Sequence, residues 1–206
     1  MLEAVEIACT RGRKLLFEDV SFVSSGGEAF RVCGGNGTGK TSLLRILTGL
    51  SRPDRGLVLW ESEPIAKEID NFRSRLIYIG HSESLKPELT LYENLVFLLT
   101  LSNISVSSER LLSDMENWGL GAVAHNLVST LSKGQKRLGS LVRLLYCKAK
   151  RLWILDEPFS GLDQSATSRL ICLLDNHLAS QGVLVYTTHE NIGLKSPGRH
   201  ISLEKM

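Results

Sequence analysis

An apolar segment, Ala29–Cys33, runs directly into Gly34-Gly-Asn-Gly-Thr-Gly-Lys-Thr41, and the next turns carry Leu43, Leu44 and Leu47 at helical spacing. A strand, a glycine loop and a helix in that order restrict the chain to an α/β fold in which the loop caps a buried strand. Glycines at 34, 35, 37 and 39 let backbone N–H groups wrap an anion, and the helix dipole adds positive potential at Lys40–Ser42. Gly34, Gly35, Asn36, Gly37, Thr38, Gly39, Lys40, Thr41 and Ser42 are therefore candidate ligands of a nucleotide triphosphate. Lys40 would sit between the β- and γ-phosphates, and the Thr41 hydroxyl would ligate Mg2+. A glycine-rich turn with no ligand is the competing reading; the strand, the helix and the Lys-Thr pair together argue against it.

The 206 residues suffice for one well-buried domain or two small ones, and 43% hydrophobic with 22% charged residues is ordinary for a globular chain. Apolar stretches such as Leu95–Leu99 are far short of a membrane span, and Met1–Thr10 lacks the basic-then-apolar layout of a signal peptide. A net charge of +2, with no basic run interleaved with aromatics, argues against a nucleic-acid partner. Cys9, Cys33, Cys147 and Cys172 are isolated, which suits structural thiols in a reducing compartment.

Strands are expected at Leu2–Ala8, Val20–Ser24, Ala29–Cys33, Leu57–Trp60 and Leu76–Ile79, with a turn at Gly26-Gly27 and a C-terminal glycine for the first helix at Gly49. From Thr90 the pattern turns helical. Thr90-x-x-Glu93 is a capping box, and helices follow at Ser107–Trp118 and Gly134–Cys147. Leu152–Leu155 and Val183–Thr187 read as buried parallel strands around a helix at Asp163–Ser180, with a last short strand at Arg199–Leu203. Strands at both ends and helices between imply an α/β core, 1–81 and 151–206, with a helical insert at about 82–150.

Two further groups carry chemistry. Asp156 and Glu157 end the Leu152–Leu155 strand, so their side chains point to opposite faces. Asp156 would hold the Mg2+ shell while Glu157 polarises the attacking water. Ser132-x-x-Gln135, 21 residues before Asp156, is a second capping box. It marks a helix N-terminus where Ser132, Gly134 and Gln135 offer a second anion site, with Gly134 admitting a ligand close to the backbone. His189, just past the Val183–Thr187 strand, lies where ligands of parallel sheets bind. It would bridge the γ-phosphate and the water. His125, His177 and His200 read as structural.

These motifs, in this order, resemble the nucleotide-binding subunits of ABC transporters. Gly34–Thr41 resembles the Walker A loop, Leu131–Gln135 the signature motif, and Leu152–Glu157 the Walker B strand. Ser160–Asp163 resembles the D-loop and His189 the switch histidine. The resemblance implies a P-loop ATPase of ABC type, with a mixed sheet core, an antiparallel N-terminal β part and an inserted α-helical subdomain. It further implies an ATP-dependent homodimer, in which each ATP lies between the Walker A loop of one copy and the signature helix of the other. Segments such as Leu47-Thr-Gly-Leu-Ser-Arg-Pro-Asp54, Tyr78-Ile-Gly-His81 and Glu88-Leu-Thr-x-x-Glu-Asn94 are similar to the ATP-binding subunits of bacterial cytochrome c maturation haem exporters. That narrower resemblance implies integral membrane partners from the same system and a place on the inner face of the cell membrane. The work it implies is ATP-driven haem export, with release of a haem-loaded chaperone.

The sequence also departs from the wider family. His81 stands where a glutamine is usual, and would take that residue's place near Mg2+ or water. Arg11 aligns where many relatives carry an aromatic that stacks on adenine, a role a guanidinium can fill. Gly35 replaces a common proline, and Lys133 and Leu138 are unusual in and just after the signature. The rival classes are an ABC ATPase for another substrate, a soluble ABC ATPase of iron–sulfur assembly, a P-loop small-molecule kinase and a nucleotide-binding regulator with little turnover.

Overall fold

The computed structural model describes residues 1–82, 84–188, 192–196 and 198–203. Its first sheet is antiparallel, in the order β2-β1-β4-β5, from β1 (Leu2–Arg11), β2 (Lys14–Ser24), β4 (Arg55–Trp60) and β5 (Glu63–Pro64). Strand β2 begins at Lys14, six residues before the start expected from the sequence. The cause is a bulge: Ile7 pairs with Val20 but Cys9 with Phe17, and Asp19 takes φ 54° between them. An extra residue breaks the period-two alternation, so buried Leu16 and Phe17 do not read as one strand with Val20.

The second sheet is parallel, in the order β6-β7-β8-β3-β9. It comprises β3 (Ala29–Gly34), β6 (Leu76–Ile79), β7 (Leu152–Leu155), β8 (Val183–Thr187) and β9 (Gly198–Leu203). Every residue of β7 and β8 is buried, as apolar runs with no alternation require when both faces are covered. Helix α1 (Lys40–Leu47) puts Leu43, Leu44, Ile46 and Leu47 into one core with Leu2 and Phe17 of the first sheet and Val32, Ile154 and Val185 of the second. Because β3, β8 and β7 are neighbours and parallel, their carboxyl ends lie side by side, where parallel sheets bind ligands. A short helix, α2 (Ile69–Ser74), precedes β6.

The chain divides into two compact units. Both sheets belong to the first, made of Met1–His81, Ala149–Glu157 and the residues from Leu174 onward. The second takes Ser82–Lys148, close to the helical insert read from the sequence, and also Pro158–Leu173. Its helices are α3 (Leu91–Leu101), α4 (Ser108–Asn117), α5 (Lys133–Val142) and the first turns of α6 (Gln164–Ala179). Side-chain caps fix the starts of α3, α4 and α6. Thr90 accepts from the Glu93 N–H while Glu93 accepts from the Thr90 N–H, Ser107 accepts from Arg110, and Asp163 accepts from Ala166 at 2.7 Å. Helix α5 ends at Val142 and continues as a 3-10 turn over Arg143–Tyr146, so the single helix expected to Cys147 is shorter and tighter at its end. Among the described residues no helix is long and apolar enough to cross a membrane.

In the first unit the His177 ring stacks on Trp153 of β7, with centroids 3.9 Å apart and planes 10° from parallel. The ring is buried, with Nε2 3.3 Å from the Val183 carbonyl oxygen. Burial lowers the His177 pKa from 6.5 to about 4, against a smaller upward pull from that carbonyl. The group is therefore neutral in the folded chain at pH 7, and the unfolded chain binds the proton more readily. Its contribution to stability is complete above about pH 6.5 and is lost as pH falls toward 4, by roughly 3 kcal/mol. Denaturant titrations from pH 7.5 to 4.5 should show this decline in the wild type. His177→Phe should lack that part of the slope, and equal slopes for both proteins would contradict a buried neutral imidazole.

Candidate functional site

The Gly34–Thr41 loop leaves β3 at Gly34 and enters α1 through Gly39. Gly39 sits at φ 100°, and a Cβ there would lie 2.9 Å from the Phe17 ring, so only glycine fits at this position. No side chain caps the first turn of α1, which leaves its leading N–H groups facing a cavity of about 420 Å³. Gly35, Asn36, Gly37, Gly39, Lys40, Thr41 and Ser42 line that cavity, together with Leu16, His81 and Glu157. Gly34 and Thr38 shape the loop instead: the buried Thr38 hydroxyl donates to the Gly35 carbonyl at 3.0 Å. Lys40 is buried, and its Nζ donates to the Gly34 and Gly35 carbonyls at 2.8 and 3.1 Å. A cation held by two loop carbonyls at the end of a positive helix dipole makes this cavity an anion receptor.

Asp156 meets the cavity through Thr41. Its Oδ2 accepts from the Thr41 hydroxyl at 2.7 Å and its Oδ1 from the Thr187 hydroxyl at 2.8 Å. Asp156 is 2% exposed. The next residue, Glu157, has φ 50°, a left-handed backbone that a non-glycine residue adopts at a cost. Its N–H donates to the Thr187 hydroxyl oxygen at 2.7 Å. Of the residues read from the sequence, the structure brings most of the loop, His81 and Glu157 to one cavity, and Asp156 reaches it through its bond to Thr41. The structure does not bring Arg11 there. Arg11 is exposed at the end of β1, paired with Lys14 across the turn, while Leu16 lines the cavity. His189 lies outside the described residues.

Two members of this site escaped the sequence reading. Leu16 was hidden by the bulge in β2. Thr187 stands 31 residues beyond Asp156 with no motif spacing to mark it. The available signal was sheet order, since the last residue of β8 is the neighbour of the residue that follows β7.

The residues read from the sequence as a second anion site lie within the second unit. Ser132 caps α5: its hydroxyl accepts from the Gln135 N–H at 3.2 Å, and the Gln135 side chain accepts from the Ser132 N–H at 2.9 Å. Both residues line a cavity of about 470 Å³ with Gly134, Leu138, Asp163 and Arg169. Gly134 was expected to admit a ligand. In this chain its missing side chain makes room for the Gly161 carbonyl oxygen, which a Cβ would meet at 2.5 Å. The start of α5 is therefore locked to the Ser160–Asp163 loop by two glycine backbones.

Loop, carboxylate strand and capped helix are the parts of a nucleotide-hydrolysing cassette, and residues 17–160 match the family model described as ABC transporter. The chain belongs to the ABC transporter family and is an ATPase of the ABC type. It is similar over almost its whole length to proteins named cytochrome c biogenesis ATP-binding export protein CcmA. The protein of that name from Escherichia coli strain K12 is 40% identical over 204 residues, covering 98% of this chain and 96% of the relative. The one from Vibrio vulnificus strain CMCP6 is 39% identical over 197 residues, covering 96% of each. Among solved structures, an ATP-binding subunit of an ABC transporter superposes with a TM-score of 0.80 at 28% identity, over 91% of this chain and 79% of that one. The ATP-binding cassette MJ0796, solved as a dimer in a post-hydrolysis state with ADP and Pi, gives 0.83 at 21% identity, over 100% and 96%, which speaks for the fold.

Proposed function

We propose that this chain is the ATP-hydrolysing subunit of an export complex of cytochrome c biogenesis, working on the inner face of the cell membrane to drive haem export and release of a haem-loaded chaperone. The observation that carries the hydrolytic part is the cavity itself, where an uncapped helix start, Lys40, the Thr41–Asp156 pair and Glu157 converge. The cellular role rests on the near-full-length similarity to the CcmA proteins.

The loop amides from Gly35 to Gly39 and the N–H groups opening α1 bind the phosphates of ATP, and Lys40 neutralises their charge. The donor set suits Mg2+. A hydroxyl and a carboxylate are hard oxygen ligands, already 2.7 Å apart. Mg2+ keeps water and phosphate oxygens in its shell and needs only one or two protein ligands, here Thr41 and Asp156, with His81 at the rim of the same cavity. When bound, it supplies charge neutralisation at the β- and γ-phosphate oxygens. Glu157 orients a water for in-line attack and accepts its proton as the bond between the γ-phosphorus and the ADP oxygen breaks, giving ADP and phosphate. The role the sequence suggests for His189, between the γ-phosphate and the water, falls on a residue outside the described ones.

Ser132, Gly134 and Gln135 act on the nucleotide of a second copy. Ser132 uses its oxygen as a cap acceptor, which leaves the hydroxyl proton to donate to a γ-phosphate oxygen. The resemblance of Leu131–Gln135 to the signature motif, at a capped helix start, supports this arrangement.

The test is purification of the tagged chain from detergent-solubilised membranes. Integral membrane proteins of cytochrome c maturation should co-purify with it, and the complex should release phosphate from Mg2+-ATP. An active ATPase that retains only soluble partners would overturn the export role and leave the hydrolytic site standing.

A further inference from the structure

We propose that Thr187 is a positioning residue for hydrolysis, one hydroxyl that sets both carboxylates of the site. The inference rests on the hydrolytic reading of the cavity given above. Thr187 is the last residue of β8 and is fully buried. Its hydroxyl has one proton and two lone pairs. The proton goes to Asp156 Oδ1 at 2.8 Å, and a lone pair takes the Glu157 N–H at 2.7 Å.

Each bond has a separate consequence. Donation to Oδ1 fixes the rotation of the Asp156 carboxylate, so that Oδ2 is presented to the Thr41 hydroxyl. That is the pair through which Mg2+-ATP would be held. Acceptance from the Glu157 N–H falls on the non-glycine residue of the site whose backbone is left-handed, at φ 50°. A strained conformation persists only where its surroundings hold it. The hydroxyl holds it from the adjacent strand, and so aims the Glu157 side chain into the cavity it lines. Valine is nearly isosteric with threonine but can do neither job, whereas serine can do both.

Three proteins are compared: wild type, Thr187→Val and Thr187→Ser, each checked for folding by its melting curve. In Thr187→Val, kcat for ATP should fall at least about tenfold, because the Glu157 carboxylate is no longer aimed. The affinity for ATP in EDTA should stay as in the wild type, while the gain in affinity on adding Mg2+ should shrink several-fold. Without any nucleotide, amide hydrogen exchange in the segment carrying Glu157 should quicken in Thr187→Val alone. Thr187→Ser should restore all three readouts. Equal losses in both variants would assign the effect to the methyl packing and overturn the proposal, as would a Thr187→Val protein with unchanged kcat and unchanged Mg2+ gain. A wild type that hydrolyses no ATP in its complex would instead refute the hydrolytic reading, and the exchange result would then still decide whether the hydroxyl holds Glu157.

Discussion

Lys40→Ala is expected to weaken ATP binding by at least about a hundredfold, equivalent to about 2.7 kcal/mol. Lys40 is the cation of the cavity, and its ammonium already sits on the Gly34 and Gly35 carbonyls, within the loop that would wrap the phosphates. A charge-assisted contact to two phosphate groups is lost with it. The fold should survive, because the substitution removes a buried charge and its carbonyl acceptors belong to a loop open to the cavity. An unchanged melting temperature together with lost binding of a fluorescent ATP analogue is the expected pair of results. Unchanged affinity would remove Lys40 from the site.

Glu157→Gln should have the larger effect on turnover, lowering it by about 10²–10⁴, the usual reach of a general base. Glutamine keeps the length of the side chain and the backbone N–H to Thr187, so the left-handed geometry at this position is retained. What it loses is the ability to take the proton of the attacking water. ATP should therefore bind with its normal affinity and remain intact, so that protein incubated with Mg2+-ATP and separated from excess nucleotide carries ATP rather than ADP. Steady phosphate release at the wild-type rate would assign the proton to another group.

The sequence was most legible where one physical constraint acted alone. Strands β7 and β8 end where expected, because short apolar runs of this length suit parallel strands covered on both faces. The capping boxes at Thr90 and Ser132 are local chemistry, complete within four residues, and both exist as read. The phosphate loop and its helix were legible for the same reason. Illegible features depend on contacts between distant segments or on broken periodicity. The first residues of β2 are obscured by the bulge at Asp19. Helix α2 has six residues, one of them buried, and no side-chain cap, too little for a periodic signal. Gly134 was identified as a close-approach glycine, but the group that approaches, the Gly161 carbonyl, is set by tertiary packing. Thr187 needed the order of the parallel strands before its reach to Asp156 and Glu157 became visible.

The central claim of the proposed function is that each ATP is held by the phosphate loop of one copy and the Ser132 helix of another. Light scattering on Glu157→Gln during size exclusion tests it most directly. With saturating Mg2+-ATP the account predicts a species of twice the mass of one chain, carrying one ATP per chain, which reverts to monomer when Ser132→Arg is added. A protein that stays monomeric with ATP bound, or a dimer indifferent to Ser132→Arg, would contradict it.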